Sequence, residues 1–304
     1  MEAVQEVKEN KIDVSKIRGI NQQTFVQKLK SYKRQPLSLL LLILVTASAV
    51  ITVGILLFLI GYILVNGIPN IKPELFEWEY TTENVSMLPS IINTLYMTGL
   101  TLLMAVPIGV FSAIYLVEYA KRGNKLVNIV RVTTETLQGI PSIVFGLFGY
   151  LMLCVGCKWG YTLMAGAITL AIMVLPVIMR TTEEALLSVP DSYREGSFGL
   201  GAGRLRTVFK IVLPSAMPGI FSGIILAIGR IVGETAALIF TAGTVATAAT
   251  GLFDSTRTLA VHMYCLLSEG LYMDQAYATA VVLLVMVLAI NAFSSFVAKK
   301  FTKK

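Results

Sequence analysis

The chain carries too little charge for a soluble protein of its length. Of its 304 residues, 55% are hydrophobic and only 14% are charged, whereas about a quarter of the residues of an ordinary soluble domain are charged. The low charge also excludes a disordered chain and a coiled coil, and three cysteines are too few for a disulfide scaffold. The composition therefore predicts a protein that crosses a lipid bilayer several times.

The charged residues delimit six apolar stretches, and about 20 apolar residues are enough to cross the hydrocarbon of a bilayer. The stretches are 37–65, about 90–117, 135–158, 158–180, about 217–242 and 274–299. We therefore predict an all-α membrane protein with six transmembrane helices. A further apolar segment, 258–267, is too short to span and is predicted to be interfacial or re-entrant.

These stretches imply a division of the chain into four parts. Residues 1–36 form an N-terminal tail, which is too polar for a signal peptide and has a short amphipathic helix around 16–30. Residues 37–65 form the first transmembrane helix, and 88–298 form the transmembrane core. Residues 299–304 are a basic C-terminal tail.

The distribution of basic residues predicts the orientation. If the N-terminus is inside, 21 of the 25 Lys and Arg residues lie on the inner side, as the positive-inside rule requires. Both termini are then cytoplasmic. The net charge of +7 is thus explained by topology, and we expect no nucleic-acid partner.

The residues that commonly carry chemistry are sparse. The chain has one histidine, His262, and the pair Cys154 and Cys157 lacks the two further ligands that a zinc site needs. The pair could form a labile disulfide, but small residues at a helix end are the favoured interpretation. No phosphate-binding glycine loop or catalytic triad is present. We expect no catalytic residue, no metal, no cofactor and no enzymatic activity.

Two charges interrupt the fifth apolar stretch. Arg230 lies about 13 residues into it and Glu234 follows four residues later. An Arg near the bilayer centre costs about 2.5–3.5 kcal/mol, so it normally faces a bundle interior or a wet cavity. On a continuous helix both charges would share one stripe with small residues, among them Gly219 and Gly223. The stripe favours Arg230 as an anion ligand, with Glu234 positioning it or accepting a proton. A purely structural, neutralising pair is the alternative.

The segment 180–216 is a cytoplasmic connection with its own helical pattern. Pro190 and Asp191 are typical of a helix start, and three closely spaced glycines end that helix before a second one begins at Arg204. The sequence therefore predicts two short helices joined by a glycine turn. Such a projection suits the groove of a partner protein, although amphipathic helices on lipid headgroups would show the same pattern.

The same segment resembles the cytoplasmic loop of ATP-binding-cassette importer permeases. Their pattern E-A-A-x3-G-x9-I-x-L-P is matched in spacing, with Gly196 and Ser197 in place of the two alanines. Both are small residues, so close helix packing is retained. The matching residues are Glu195, Gly196, Ser197, Gly201, Ile211, Leu213 and Pro214. The resemblance implies a type-1 importer bundle in which this loop, with Arg204 in its second helix, docks on an ATPase subunit.

Over about 89–299 the chain is most similar to permease subunits of phosphate-specific importers, of the PstA-like type. The residues that carry the likeness are Gly139–Gly146, Arg180–Leu186, Val189-Pro190, Arg194–Gly196, Arg230, Gly233–Thr235 and Ala276–Asn291. The family implies a second homologous permease subunit, two ATP-binding cassette subunits and an extracytoplasmic phosphate-binding protein in a bacterial or archaeal cell membrane. It also implies that Arg230, Glu234 and Thr235 lie on the phosphate path.

Three alternatives remain open from the sequence. The permease could carry another oxyanion, such as molybdate or sulfate. The chain could instead be a stand-alone secondary transporter that uses Arg230 and Glu234 as a proton-coupled gate, but such a protein does not need the 180–216 segment. A membrane scaffold without transport would leave the two charges unexplained.

Overall fold

The structure is a computed structural model that describes residues 36–121 and 123–302. Apart from Pro36, the predicted tail 1–36 lies outside the described residues, as does its amphipathic helix. The described residues form helices and loops and contain no strand. The chain divides into two units, Met1–Gly61 and Tyr62–Lys304, and each is considered by itself.

The first helix, α1 (Pro36–Gly67), begins in the first unit and ends in the second. It has 32 residues and no charged side chain, and at 1.5 Å per residue it is about 48 Å long, enough to cross a bilayer with some tilt. Large exposed apolar side chains follow one another along it. Such a surface is stable only in lipid or against other apolar surfaces.

The second unit holds the remaining helices of the described chain. Three of them continue as π-helical turns: Tyr115–Tyr119 after α2, Tyr150–Gly156 after α4 and Val208–Val212 after α7. The helices are α2 (Leu88–Ile114), α3 (Lys125–Gln138), α4 (Ser142–Gly149), α5 (Leu163–Leu187), α6 (Asp191–Gly199), α7 (Arg204–Thr207), α8 (Leu213–Val232), α9 (Ala236–Thr241), α10 (Leu259–Glu269) and α11 (Met273–Thr302).

Five helical stretches of the described chain are long and apolar enough to span a membrane. They are Leu37–Asn70, Leu88–Tyr119, Leu163–Leu187, Arg204–Val232 and Met273–Lys300. A sixth span is formed if the bent pair Lys125–Gln138 and Ser142–Gly156 is counted once. The predicted all-α class and the six apolar segments are confirmed.

The third span differs from its prediction. The stretch 135–158 is not one helix, because the chain bends by 103° between α3 and α4. Gly139 and Pro141 lie in the break, and Pro cannot donate the backbone hydrogen bond that would continue the helix. The apolar part that follows the bend has only 15 residues, Ser142–Gly156.

The ends of other helices also differ from their predicted positions. Helix α5 continues past Arg180 to Leu187, so the first quarter of the predicted 180–216 loop is helical extension of the fourth span. The last helix runs to Thr302, into the predicted tail 299–304. The apolar segment 258–267 forms α10, an 11-residue helix that is too short to span, as predicted.

Helices α2, α5 and α8 pack together and form the main core of the second unit. Buried side chains from these helices make one cluster, including Met97, Leu170, Ile178 and Ile231. Close approach of α2 to α5 requires Gly109, since a Cβ there would lie 2.8 Å from Ile178 Cγ2. This packing places α8, which carries Arg230, against α5.

Candidate functional site: the Arg230 groove and the 180–216 segment

A groove of about 810 Å³ runs along α8 between α5 and α11. We call it the Arg230 groove. It is lined by Thr181, Glu184, Ala185, Gly219, Ser222, Gly223, Ile225, Leu226, Gly229, Arg230 and Asn291. Its polar members come from three spans, and polar groups within spanning helices normally face a bundle interior or a water-filled cavity.

Small residues on α8 set the wall of this groove. A Cβ on Gly219 would lie 2.6 Å from Ala185 Cβ, and a Cβ on Gly223 would overlap the side chain of Thr181. The two glycines therefore let α8 approach α5 closely. Because both glycines line the same groove as Arg230, the predicted stripe of small residues is confirmed up to Arg230.

The Arg230 guanidinium is half-buried and unpaired. Within residues 36–121 and 123–302 it makes no hydrogen bond and no ion pair, and Glu234 is not within ion-pairing distance of it. A guanidinium is always protonated and offers five N–H donors in a planar fork. Left unpaired in a membrane bundle, it is a ready ligand for an oxyanion.

Glu234 does not share the helical face of Arg230, contrary to the prediction. Helix α8 ends at Val232 and α9 starts at Ala236, so the predicted continuous span 217–242 is broken between them. Gly233 ends α8, and the backbone of Thr235 is non-helical. Arg230 thus lies in the last turn of α8 rather than at the middle of a span.

The break gives Glu234 a different partner. Its side chain is buried, and its Oε1 accepts a hydrogen bond of 3.1 Å from the backbone N–H of Ala237 in the first turn of α9. A carboxylate there accepts a hydrogen bond from a free N–H and interacts favourably with the positive N-terminal end of the helix. The Thr235 hydroxyl makes only a long bond, 3.4 Å, to the Gly233 carbonyl. Glu234 therefore holds the start of α9.

The 180–216 segment has the predicted helix–turn–helix path. Helix α6 starts at Asp191, and the chain reverses at Gly201, whose φ of +82° is in the left-handed region that favours glycine. Helix α7 then starts at Arg204. The second helix is not a separate short one, however, because it continues without interruption through α8 to Val232.

The residues that match the importer pattern occupy different environments. Ser197 is buried and its hydroxyl lies 2.8 Å from that of Thr207, so α6 packs on α7 through a small residue as predicted. Gly196 and Glu195 are exposed, and a Cβ on Gly196 would contact nothing. Small size at Gly196 is thus not needed for packing within this chain.

The remaining pattern residues form the base of the segment. Arg204 lies over the Tyr119 ring, with Cζ 5.3 Å from its centroid. Ile211, Leu213 and Pro214 lie where the π-helical turn joins α8. Large apolar side chains protrude from the segment; they are Tyr193, Phe198, Leu200 and Leu205, of which Leu200 is 91% exposed.

Arg194 anchors this segment, a role that its sequence context does not indicate. Its Nη2 lies 2.7 Å from Glu118 Oε1 and donates to the Leu186 carbonyl at 2.9 Å. Its Nη1 donates to the Val189 carbonyl at 2.8 Å and to Asp191 at 3.2 Å. Both Arg194 and Glu118 are largely buried. The pair fastens α6 to the C-terminal ends of α2 and α5.

A second polar cluster lies near α10. His262 is fully buried, its ring meets Tyr80 edge-on, and neither ring nitrogen has a partner in the described chain. Burial, with a smaller contribution from nearby Arg257, lowers the pKa of His262 to about 3. The imidazole is therefore neutral. Arg257 is also buried and stacks on Tyr80 at 4.6 Å.

The described residues contain no group of His, Cys, Asp and Glu that could hold a metal ion. Cys154, Cys157 and Cys265 are free thiols. Cys154 is buried, with its Sγ 3.6 Å from the Thr241 carbonyl oxygen, whereas Cys157 is exposed. Cys154 thus packs within the end of the third span, as the favoured interpretation expected, whereas Cys157 does not.

A family model described as the inner membrane component of binding-protein-dependent transport systems matches residues 105–304. The chain belongs to this family. It is therefore a multi-pass permease subunit of an ATP-binding-cassette importer. The family assignment removes the stand-alone secondary transporter and the non-transporting scaffold from the alternatives.

Individual relatives agree with this assignment. The permease is 34% identical to the probable ABC transporter permease protein YqgI of Bacillus subtilis (strain 168) over 279 residues, which are 84% of this chain and 93% of that protein. It is 34% identical over 218 residues to the phosphate transport system permease protein PstA of Haemophilus influenzae (strain ATCC 51907 / DSM 11121 / KW20 / Rd), covering 71% and 77% of the two chains.

A solved structure shows the same fold. It is a bacterial alginate ABC transporter in complex with an alginate pentasaccharide-bound periplasmic protein. The TM-score is 0.66 at 16% identity, and the superposition covers 90% of this permease and 98% of the other chain. At 16% identity the likeness supports the type-1 importer bundle, and it does not indicate the substrate.

Proposed function

We propose that this permease forms half of a membrane pathway for inorganic phosphate. The observation that carries the proposal is the unpaired Arg230 guanidinium in the Arg230 groove. An arginine fork binds the oxygens of an oxyanion bidentately and keeps its charge at every physiological pH. The resemblance at Gly139–Gly146 and Gly233–Thr235 and the phosphate permease among the relatives favour phosphate over molybdate and sulfate.

The proposed complex contains a second homologous permease subunit, two ATP-binding cassette subunits and an external phosphate-binding protein. The protruding apolar side chains Phe198 and Leu200 would insert into a groove of the ATPase. With that docking inside, both termini are cytoplasmic, in a bacterial or archaeal cell membrane. Closure of the ATPases would push α6 and switch the bundle between two states with different access.

Of the two roles considered for Glu234, we propose the positioning role. Its carboxylate caps α9 and so fixes the break that ends α8 just after Arg230. The substitution Glu234→Gln keeps a carbonyl acceptor for the Ala237 N–H. We expect the preference of uptake for phosphate over sulfate to be unchanged; a lost preference would instead support the proton-acceptor role.

ATP-dependent uptake tests the proposed substrate. The whole complex is purified through a tag on this permease, inserted into vesicles and supplied with ATP and the external binding protein. We expect uptake of labelled phosphate that excess sulfate or molybdate does not suppress. Uptake of sulfate or molybdate without phosphate uptake would refute phosphate and leave the importer assignment intact.

Docking is tested separately by association with the ATPase. Asp at position 201 would be strained at a φ of +82°, so we expect Gly201→Asp to lose the ATPase during purification. The matched control is Gly203→Asp, because Gly203 has a φ of −73° at the N-cap position just before α7, where Asp is a favourable residue. Equal loss in both variants would contradict the role of the turn.

A further inference from the structure

Asn291 is a polar side chain of the Arg230 groove whose amide oxygen lacks a partner in the described chain. It belongs to α11, faces α8 across the groove, and is the only amide that lines it among the described residues. Its Oδ1 is buried and has no hydrogen-bond partner in the described chain. An amide within a spanning helix normally bonds to a neighbouring helix, since an unpaired polar group in hydrocarbon is costly.

Two of the other three polar side chains of the groove are already engaged, and the third, Ser222, is exposed. The Thr181 hydroxyl donates to the Val177 carbonyl at 2.9 Å. The Glu184 carboxylate accepts from Arg180 Nε at 3.0 Å and would repel an anion. Arg230 and Asn291 therefore stand out on opposite helices, α8 and α11, as an unpaired charged donor and an amide whose buried oxygen is unpaired.

The chemistry of the two side chains is complementary. A guanidinium can only donate hydrogen bonds, whereas an amide donates from its NH₂ and accepts at its oxygen. Phosphate near neutral pH offers both oxygens and an O–H group, and sulfate offers oxygens alone. Rotation about χ2 presents either end of the amide to the groove. A protonated phosphate can thus bind both side chains, and sulfate leaves the amide oxygen unsatisfied.

We propose that Asn291 is a second oxyanion ligand of the Arg230 groove and that its amide oxygen, by accepting the phosphate O–H, favours phosphate over sulfate. This inference rests on the proposed function. It adds a residue on the last span, α11, to a site that the sequence placed entirely on the fifth. An unsatisfied buried acceptor is the physical source of the discrimination, because leaving it unpaired is costly.

The test measures anion binding directly, without transport. Ser222 is exposed and lines the groove, so the variant Ser222→Cys reports groove occupancy through its reaction with a charged thiol reagent. The intact complex is treated in vesicles of fixed lipid composition with increasing inorganic phosphate or sulfate. Modification at position 222 is read by mass spectrometry, and the exposed Cys157 outside the groove is the internal control.

We expect phosphate to protect position 222 and to leave Cys157 unprotected. Adding Asn291→Leu should raise the phosphate concentration needed for protection about tenfold, the effect of one lost hydrogen bond to a charged ligand. It should weaken the sulfate protection less, because sulfate accepts from the amide NH₂ but makes no bond to the amide oxygen. The isosteric Asn291→Asp should abolish protection, because a carboxylate repels the anion. Because soluble phosphate is the variable, a lipid headgroup cannot cause a dose-dependent change.

Two results would overturn the inference. If Asn291→Leu leaves phosphate protection unchanged while Arg230→Gln abolishes it, Asn291 is no ligand and the proposed function stands. If no oxyanion protects position 222 although the complex imports phosphate, the groove is not the binding site. Protection by sulfate or molybdate alone, lost in Asn291→Leu, would support the ligand role of Asn291, overturn its preference for phosphate and refute phosphate as the substrate.

Discussion

Two arginines of this permease are used in opposite ways. Arg194 donates hydrogen bonds to two carboxylates and two carbonyls and is largely buried at the base of α6. Arg230 lines the Arg230 groove and has no partner in the described chain. An arginine whose hydrogen-bond donors are engaged holds structural elements together, whereas an arginine without partners is available to a ligand. Transport and stability should therefore depend on different arginines.

The largest effect, on transport, is expected from removing Arg230, the arginine without a partner. Arg230→Ala should reduce ATP-dependent phosphate uptake to background, because no other cation lines the groove among the described residues. The thermal stability and the yield of the complex should stay unchanged. Arg230→Lys keeps the charge without the planar fork and should retain a small part of the uptake. Normal uptake in the alanine variant would refute the ligand role.

Removal of Arg194, the arginine with engaged donors, should instead lower the stability. Arg194→Ala leaves Glu118 buried without its partner, and breaking a buried pair in this way costs about 3–5 kcal/mol. Thermal unfolding of the purified permease measures the loss. The matched control is Arg180→Ala, whose pairs with Glu184 and Glu135 are exposed and screened by solvent, so their loss should change the stability much less. Equal losses would contradict the contrast.

His262 extends the comparison to a group that is buried and unpaired yet neutral. Its pKa is about 3 in the folded protein, below the ordinary 6.5, so the unfolded chain binds the proton more readily. Stability should therefore fall as the pH drops below about 6.5, by about 1.4 kcal/mol per pH unit, or roughly 2 kcal/mol between pH 7 and pH 5.

The variant His262→Phe isolates this contribution, since His262 is the single histidine of the chain. We expect its thermal unfolding to depend less on pH between 5 and 7 than that of the unmodified permease. A dependence of the same size in both proteins would assign the effect to the carboxylates. A rise in stability at low pH would contradict burial of the neutral form.

The smallest effect is expected at Thr235, which the family resemblance places on the substrate path. Its hydroxyl makes one long hydrogen bond, 3.4 Å, and does not cap α9. Thr235→Ala should change the free energy of unfolding by less than about 0.5 kcal/mol. Phosphate uptake should stay within about twofold, since about 0.5 kcal/mol corresponds to about a twofold change in an equilibrium or a rate. A tenfold loss of uptake without a stability change would instead give Thr235 a direct role at the site.

Charge made much of the fold predictable. Charged residues are rare enough that they delimit the spans, and a charge inside a span, Arg230, is conspicuous for the same reason. The helix start at Asp191 and the turn at Gly201 were also predictable, because Pro and Gly have strong local preferences.

Tertiary pairing was not predictable from the single sequence. The stretch around Gly233 is apolar, and glycine is common in membrane helices, so the break after Val232 left no signal in hydropathy. Glu118 and Arg194 are 76 residues apart, and nothing local indicates that they pair. Asn291 was missed as a site residue because an uncharged residue does not interrupt an apolar stretch.

The bend at Gly139–Pro141 has a consequence for the surrounding lipid. The apolar segment after the bend, Ser142–Gly156, has 15 residues, which at 1.5 Å per residue reach about 22 Å. The hydrocarbon of a typical bilayer is about 30 Å thick, so this face is too short to match it. We therefore expect lipid tails beside α4 to compress and the permease to favour thinner membranes composed of shorter acyl chains.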